Sequence, residues 1–187
     1  MDSTMRVLRT LAILWLTTTT ACGGASGPTV RSPMSPRDLE VFDSAVDYVE
    51  RPSVLGGRWA ESAQAELADR IRASDVVLLG TVQTIRSDED AARRRTRRVV
   101  LSVDETLFGD EPGDEISLPV NESEPGYDTV VGHDSQLLQH RFVVTVKWAH
   151  GDAGSVVPRW HLSPASDPIR ADVNRLVRLR VQATSGN

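Results

Sequence analysis

The chain reads as an α+β domain: five antiparallel strands around a small barrel, with two helices before them and one after. Three observations carry that reading. Apolar residues recur at helical spacing before Ser74 and again after Ser166. Between those limits, β-branched and aromatic residues run together or alternate in short blocks. Turns such as Asp110-Glu111-Pro112-Gly113 and Gly151-Asp152-Ala153-Gly154 punctuate the blocks.

Taken in order, Ser35-Pro36-Arg37-Asp38 has the form of a helix start, with Ser35 as N-cap, Pro36 in the first position and Asp38 closing a capping box. Leu39, Phe42, Val46 and Val49 then predict one apolar stripe on a first helix, which Pro52 and Gly56-Gly57 end. A second helix is expected over Arg58 to Ala73, with Trp59, Ala63, Leu67 and Ile71 in register, so that helices occupy 36–73. Val76 to Ile85 predicts a strand bent at Gly80. A charged turn follows, acidic over Ser87 to Asp90 and basic over Arg93 to Arg98. Val99, Leu101 and Val103 alternate with polar neighbours in a second strand that ends near Leu107-Phe108-Gly109. Gly113 to Val120 forms a third. Arg141 to Trp148 is the clearest strand: Phe142, Val144, Val146 and Trp148 face one way, Val143, Thr145 and Lys147 the other. Ser155 to Leu162 supplies the fifth. A closing helix over 167–183 starts at Ser166 or Asp167 and Pro168, with Ile169, Val173, Leu176 and Val177 on its apolar face.

The stretch Ser74 to Val82, followed by Val99 to Asp104 running into Thr106-Leu107-Phe108-Gly109-Asp110, resembles the opening of a five-stranded OB-type barrel. It is similar to the netrin-like, or TIMP-like, modules of bacterial surface proteins, and Phe142 to Trp148 fits an apolar strand of such a module. The resemblance covers 75–162 and implies a small five-stranded antiparallel OB-like β-barrel with two N-terminal helices and one C-terminal helix. Metalloprotease inhibition through a Cys-x-Cys pair, known in the TIMP family, has no counterpart here because Cys22 is the single cysteine.

Cys22 also follows a signal-like segment. Arg6 and Arg9 give a positive start, and Leu11 to Ala21 is uncharged but too short to span a bilayer, which takes about 20 apolar residues. Ala21 before Cys22, with Gly23-Gly24 after it, resembles a bacterial lipoprotein signal, although Thr19 stands where that pattern usually has Leu. The resemblance implies a thiol acylated at Cys22 and an N-acylated terminus, a lasting anchor. Gly23 in place of Asp favours the outer membrane if the host is Gram-negative. An ordinary secretory signal that leaves Cys22 as a free thiol is the alternative. The expected division is a signal peptide over 1–21, a flexible linker over 22–34 and a single domain over 35–187.

Removing residues 1–21 leaves 19 basic and 25 acidic residues, a balance that argues against nucleic acid as a partner. No nucleophile elbow, phosphate-cradling loop, zinc-protease helix or Cys-x-x-Cys pair occurs, and no cofactor is predicted. His150, Asp152 and His161 form a metal candidate. In the other reading of this region, Trp160 packs on the last helix and His161 bonds nearby backbone. Val99 to His140 holds ten carboxylates and no Lys or Arg; its Gly109 to Glu115 stretch lacks calcium-loop spacing and reads as a solvated acidic turn that biases encounters toward cationic partners. Arg93, Arg94, Arg95, Arg97 and Arg98 either pair with Asp88, Glu89 and Asp90 or contact anionic envelope material. The sequence thus predicts a lipid-anchored, non-catalytic cell-envelope protein whose barrel binds a protein or glycan partner, with those arginines, Trp160 and His161 as exposed candidates. A metal-dependent hydrolase or cation-binding protein and a purely structural envelope role remain open.

Overall fold

Val76 to Leu79 is an unbroken apolar run, the pattern of a strand covered on both faces. A computed structural model, which describes residues 27–151 and 154–186, buries all of it. The run opens β2 (Val76–Glu89), the centre of a six-stranded sheet in the order β1-β6-β5-β2-β3-β4. The other strands are β1 (Ala45–Val46), β3 (Arg95–Phe108), β4 (Glu115–Asn121), β5 (Arg141–His150) and β6 (Val156–Pro164). Hairpins join β2 to β3 and β3 to β4. The chain then returns through two short helices, α3 (Tyr127–Gly132) and α4 (Asp134–Leu137), to lay β5 against β2. The spatial order β5-β2-β3-β4 is a Greek key. β6 folds back on β5, and β1 adds to the outer edge of β6 in parallel.

The sheet curls into a half-barrel. Register shifts at Val77/Leu78, Leu79/Gly80 and Val82/Thr84 bend β2, as the glycine there implied. A Cβ at Gly80 would stand 2.8 Å from the Ser102 carbonyl oxygen, so only glycine lets β3 come this close. The concave face gathers Leu78, Leu101, Leu118, Val144, Trp160 and Leu162 into the larger core. β4 and β6 are not paired, and Trp160 spans the space between them: its Nε1–H donates to the Pro119 carbonyl at 2.7 Å.

On the convex face, Val77, Leu79 and Val143 meet Leu67 and Ile71 of α2 (Gly57–Ala73) and Ile169, Val173 and Val177 of α5 (Asp167–Ser185). Arg180 of α5 donates to the Ile71 and Ser74 carbonyls at 2.6 and 2.8 Å, satisfying the open C-terminal end of α2. Its guanidinium lies 3.8 Å from the Phe108 ring centroid.

Three expectations need correction. The predicted first helix is six residues long, α1 (Pro36–Val41), although its Ser35–Asp38 capping box forms as read. Ser44 turns the chain at φ 57°, and Val46 joins β1 instead of a helical stripe, leaving Leu39 57% exposed. The unsatisfied edge of β6 offers the segment backbone hydrogen bonds: Ser44 N–H reaches the Trp160 carbonyl at 2.9 Å and Asp47 N–H the Leu162 carbonyl at 2.8 Å. That pairing outweighs a short helical pattern. Second, the Arg-rich stretch is mostly strand, because β2 and β3 run on to a tight turn between Glu89 and Arg95. Third, the described residues contain five α-helices and six strands where three helices and five strands were expected. Trp59 is 65% exposed, so only the second half of α2 packs on the sheet.

Replacing Trp160 by Phe keeps most of the apolar volume but leaves the Pro119 carbonyl without its donor. A loss of about 2 kcal/mol in unfolding free energy is expected by chemical denaturation. A change within about 0.5 kcal/mol would mean that the β4–β6 boundary is held by packing alone.

Candidate functional site

Period-two alternation along β6 sends Trp160 and Leu162 into the concave core and turns His161 and Ser163 the other way, toward the N-terminal segment. His161 is 2% exposed. Its Nδ1 lies 2.9 Å from Asp43 Oδ1 in a hydrogen bond. Its Nε2 lies 2.9 Å from Asp47 Oδ2, close enough for a charge contact but off the line of a hydrogen bond. The turn at Ser44 and the pairing of β1 place both carboxylates beside one imidazole. Arg70 of α2, also buried, donates to Asp47 at 3.2 Å and to the Val41 carbonyl at 2.9 Å, and lies 3.4 Å from Glu66. Ser163 Oγ reaches Asp47 at 3.4 Å.

Carboxylates beside both ring nitrogens favour the doubly protonated imidazolium, the one form that carries positive charge. Burial opposes charge on His161, but hydrogen bonding to Asp43 and contact with Asp47 outweigh it and hold the imidazole above its ordinary value. For Asp47, burial pushes the carboxyl up, while His161 and Arg70 together bring it down to about 2. The cluster ties the N-terminal segment, the β6 edge and α2 together.

A second feature lies at the mouth of the half-barrel. Trp148 and Pro158 are paired across β5 and β6, and with Val76 and Ile116 they line a cleft of about 540 Å³. Asp110, Glu111 and Glu115, from the β3–β4 loop and the start of β4, supply its acidic rim, and Gly27 to Arg31 runs along one wall. Gly109 (φ +89°) makes the turn into that loop, where any Cβ would strike the Asp75 carbonyl oxygen. Asp75 Oδ2 accepts from the Trp148 backbone N–H at 2.8 Å, fixing the end of β5 beside the cleft. Arg31 is ion-paired with Asp110.

The residues singled out from sequence fall in separate places. Trp160 packs in the concave core and not on the last helix, and His161 bonds side-chain carboxylates and not backbone, so neither is exposed. His150 stands opposite Val156, whereas His161 stands opposite Thr145. The two histidines are therefore five positions apart along the ladder, about 17 Å, and on opposite faces. Asp152 and Cys22 lie outside the described residues, among which no group of three His, Cys, Asp or Glu side chains is placed to hold a metal. The arginines are shared out: Arg94 with Asp90 at 2.8 Å, Arg95 with Glu122 at 3.0 Å, Arg97 with Asp134 at 3.9 Å, and Arg98 with Asp88. Arg93 is exposed at the turn with φ 59°.

Sequence reasoning missed Asp43, Asp47 and Arg70. One signal was present: Arg70 stands between Leu67 and Ile71 on the apolar stripe of α2, where a charge needs a buried partner.

The His161 cluster gives a pH dependence with two limbs. Because the folded imidazole titrates above its unfolded value of 6.5, its contribution is complete below pH 6.5 and is lost as pH rises through the folded value. Because Asp47 titrates below its unfolded value of 3.8, its contribution is present above that value and is lost as pH falls through about 2. Denaturation midpoints measured against pH should therefore be highest between about pH 4 and 6.5. His161→Asn should flatten the alkaline limb and cost about 3 kcal/mol at pH 6, whereas Arg98→Ala, at an exposed pair, should cost under about 1 kcal/mol. An alkaline limb unchanged in His161→Asn would remove His161 as its source. Comparison of the chain with protein-family models and with curated proteins finds no match.

Proposed function

We propose that the protein is a lipid-anchored cell-envelope module that works by binding a partner polypeptide at the open side of its curled sheet. The observation that carries this reading is the mouth cleft, an apolar floor with an acidic rim, whose wall is the Gly27–Arg31 stretch that follows the signal-like segment. A cleft of several hundred cubic ångströms lined by apolar side chains with a few polar groups is the usual form of a binding site. The OB-like reading is supported by the Greek-key order and by the lack of pairing between β4 and β6, since OB barrels are partly open and bind through one face and its loops.

The anchor and the partner are tested separately in the native host. Cys22→Ser should move the protein out of the membrane fraction and remove the acyl mass seen by native mass spectrometry. A photo-crosslinking residue at Glu111, in the cleft, should trap a discrete envelope protein, and one at Glu89, on the far hairpin, should not. Persistence of the Cys22→Ser chain in the membrane would overturn the anchor. Absence of a crosslink from Glu111, or equal crosslinking from Glu89, would overturn the binding module.

A further inference from the structure

Resting on that reading, we propose that the mouth cleft binds a cationic segment of the partner polypeptide, Arg or Lys flanked by apolar residues, and that Arg31 occupies this site in the free protein. The floor is built for apolar contact: Val76 and Ile116 are 3% and 5% exposed, and Trp148, Pro112 and Pro158 complete it. The rim is built for positive charge. Asp110, Glu111 and Glu115 line it, and Glu111 and Glu115 have no ion pair among the described residues. No Lys or Arg occurs between Val99 and His140, so any cation on this rim must come from elsewhere in the chain or from a ligand. An indole beside carboxylates suits a guanidinium or ammonium, which gains from the ring face as well as from the charge. The chain already places one such group there. Arg31 reaches the rim on a stretch that carries Pro28 and Val30, so the arm has the chemistry expected of the ligand. Its guanidinium is about half exposed and Asp110 is 88% exposed, a pair in high dielectric that a better-placed cation can displace.

The purified full-length protein is titrated by calorimetry with Ac-Val-Arg-Val-Arg-Val-NH2, with the same peptide carrying Glu for Arg, and with a glucosamine oligomer. The Arg peptide should bind at one site and weaken as salt is raised. Glu111→Gln combined with Glu115→Gln, both at exposed positions, should weaken it about tenfold. Arg31→Ala should tighten it several-fold by removing the internal competitor. Arg95→Ala, on the opposite hairpin, should leave it unchanged. Equal binding of the Glu peptide, or an affinity indifferent to the paired glutamine substitutions, would overturn the cleft as a cation site. Weaker binding in Arg31→Ala would overturn self-occupancy, and preference for the glucosamine oligomer would overturn the polypeptide assignment. A failed titration with crosslinks still formed from Glu111 would remove this inference and leave the binding module standing.

Discussion

Trp160 and His161 are neighbours whose side chains leave β6 in opposite directions, and each secures a different boundary of the domain. The indole reaches across the unpaired side of the half-barrel to Pro119, and so limits how far β4 and β6 can separate. The imidazole holds the segment that adds to the outer edge of the same strand. A one-residue slip of β6 would exchange these roles, placing a charged ring in the apolar core and a large aromatic against carboxylates. The alternation of one strand therefore fixes both the opening of the barrel and the position of the N-terminal segment.

The convex face is partly polar beneath that segment. Lys147, 3% exposed, points the same way as His161; its Nζ donates to Ser32 Oγ at 2.8 Å and to the Ala73 carbonyl at 3.2 Å, with Asp38 4.0 Å away. Buried charges of this kind contribute little net stability while their partners are in place, and cost heavily when one partner is removed. Their effect is on specificity. Ser32, Asp38, Asp43 and Asp47 all come from the segment before α2, so only one placement of it satisfies both Lys147 and His161.

Most of the strands and both long helices were legible because their periodicity reflects burial that a single segment can declare. β5 alternates Phe142, Val144 and Val146 against Val143, Thr145 and Lys147, and the sheet buries both sets in that sense. The first helix was misread because residues 39 to 49 take their form from a strand more than a hundred positions away, which no local pattern encodes. The same holds for the site residues. Asp43 and Asp47 look like solvent-facing acids until β6 brings His161 between them. Asp110, Glu111 and Glu115 were legible as an acidic turn, but the apolar floor beside them combines residues from β2, β4, β5 and β6.

The parallel pairing of β1 with β6 joins stretches at nearly opposite ends of the folded chain; Asp47 and Ser163, which it brings together, are 116 residues apart. Loop closure over such a span is entropically expensive and slow relative to the local hairpins of β2, β3 and β4. A chain that folds as it emerges with its N-terminus first must therefore hold residues 35–50 undocked until β6 has been delivered. Through that interval the edge acceptors at Trp160 and Leu162 do not yet exist, and the segment remains open to proteases and chaperones. Completion of the sheet thus reports that every strand has arrived.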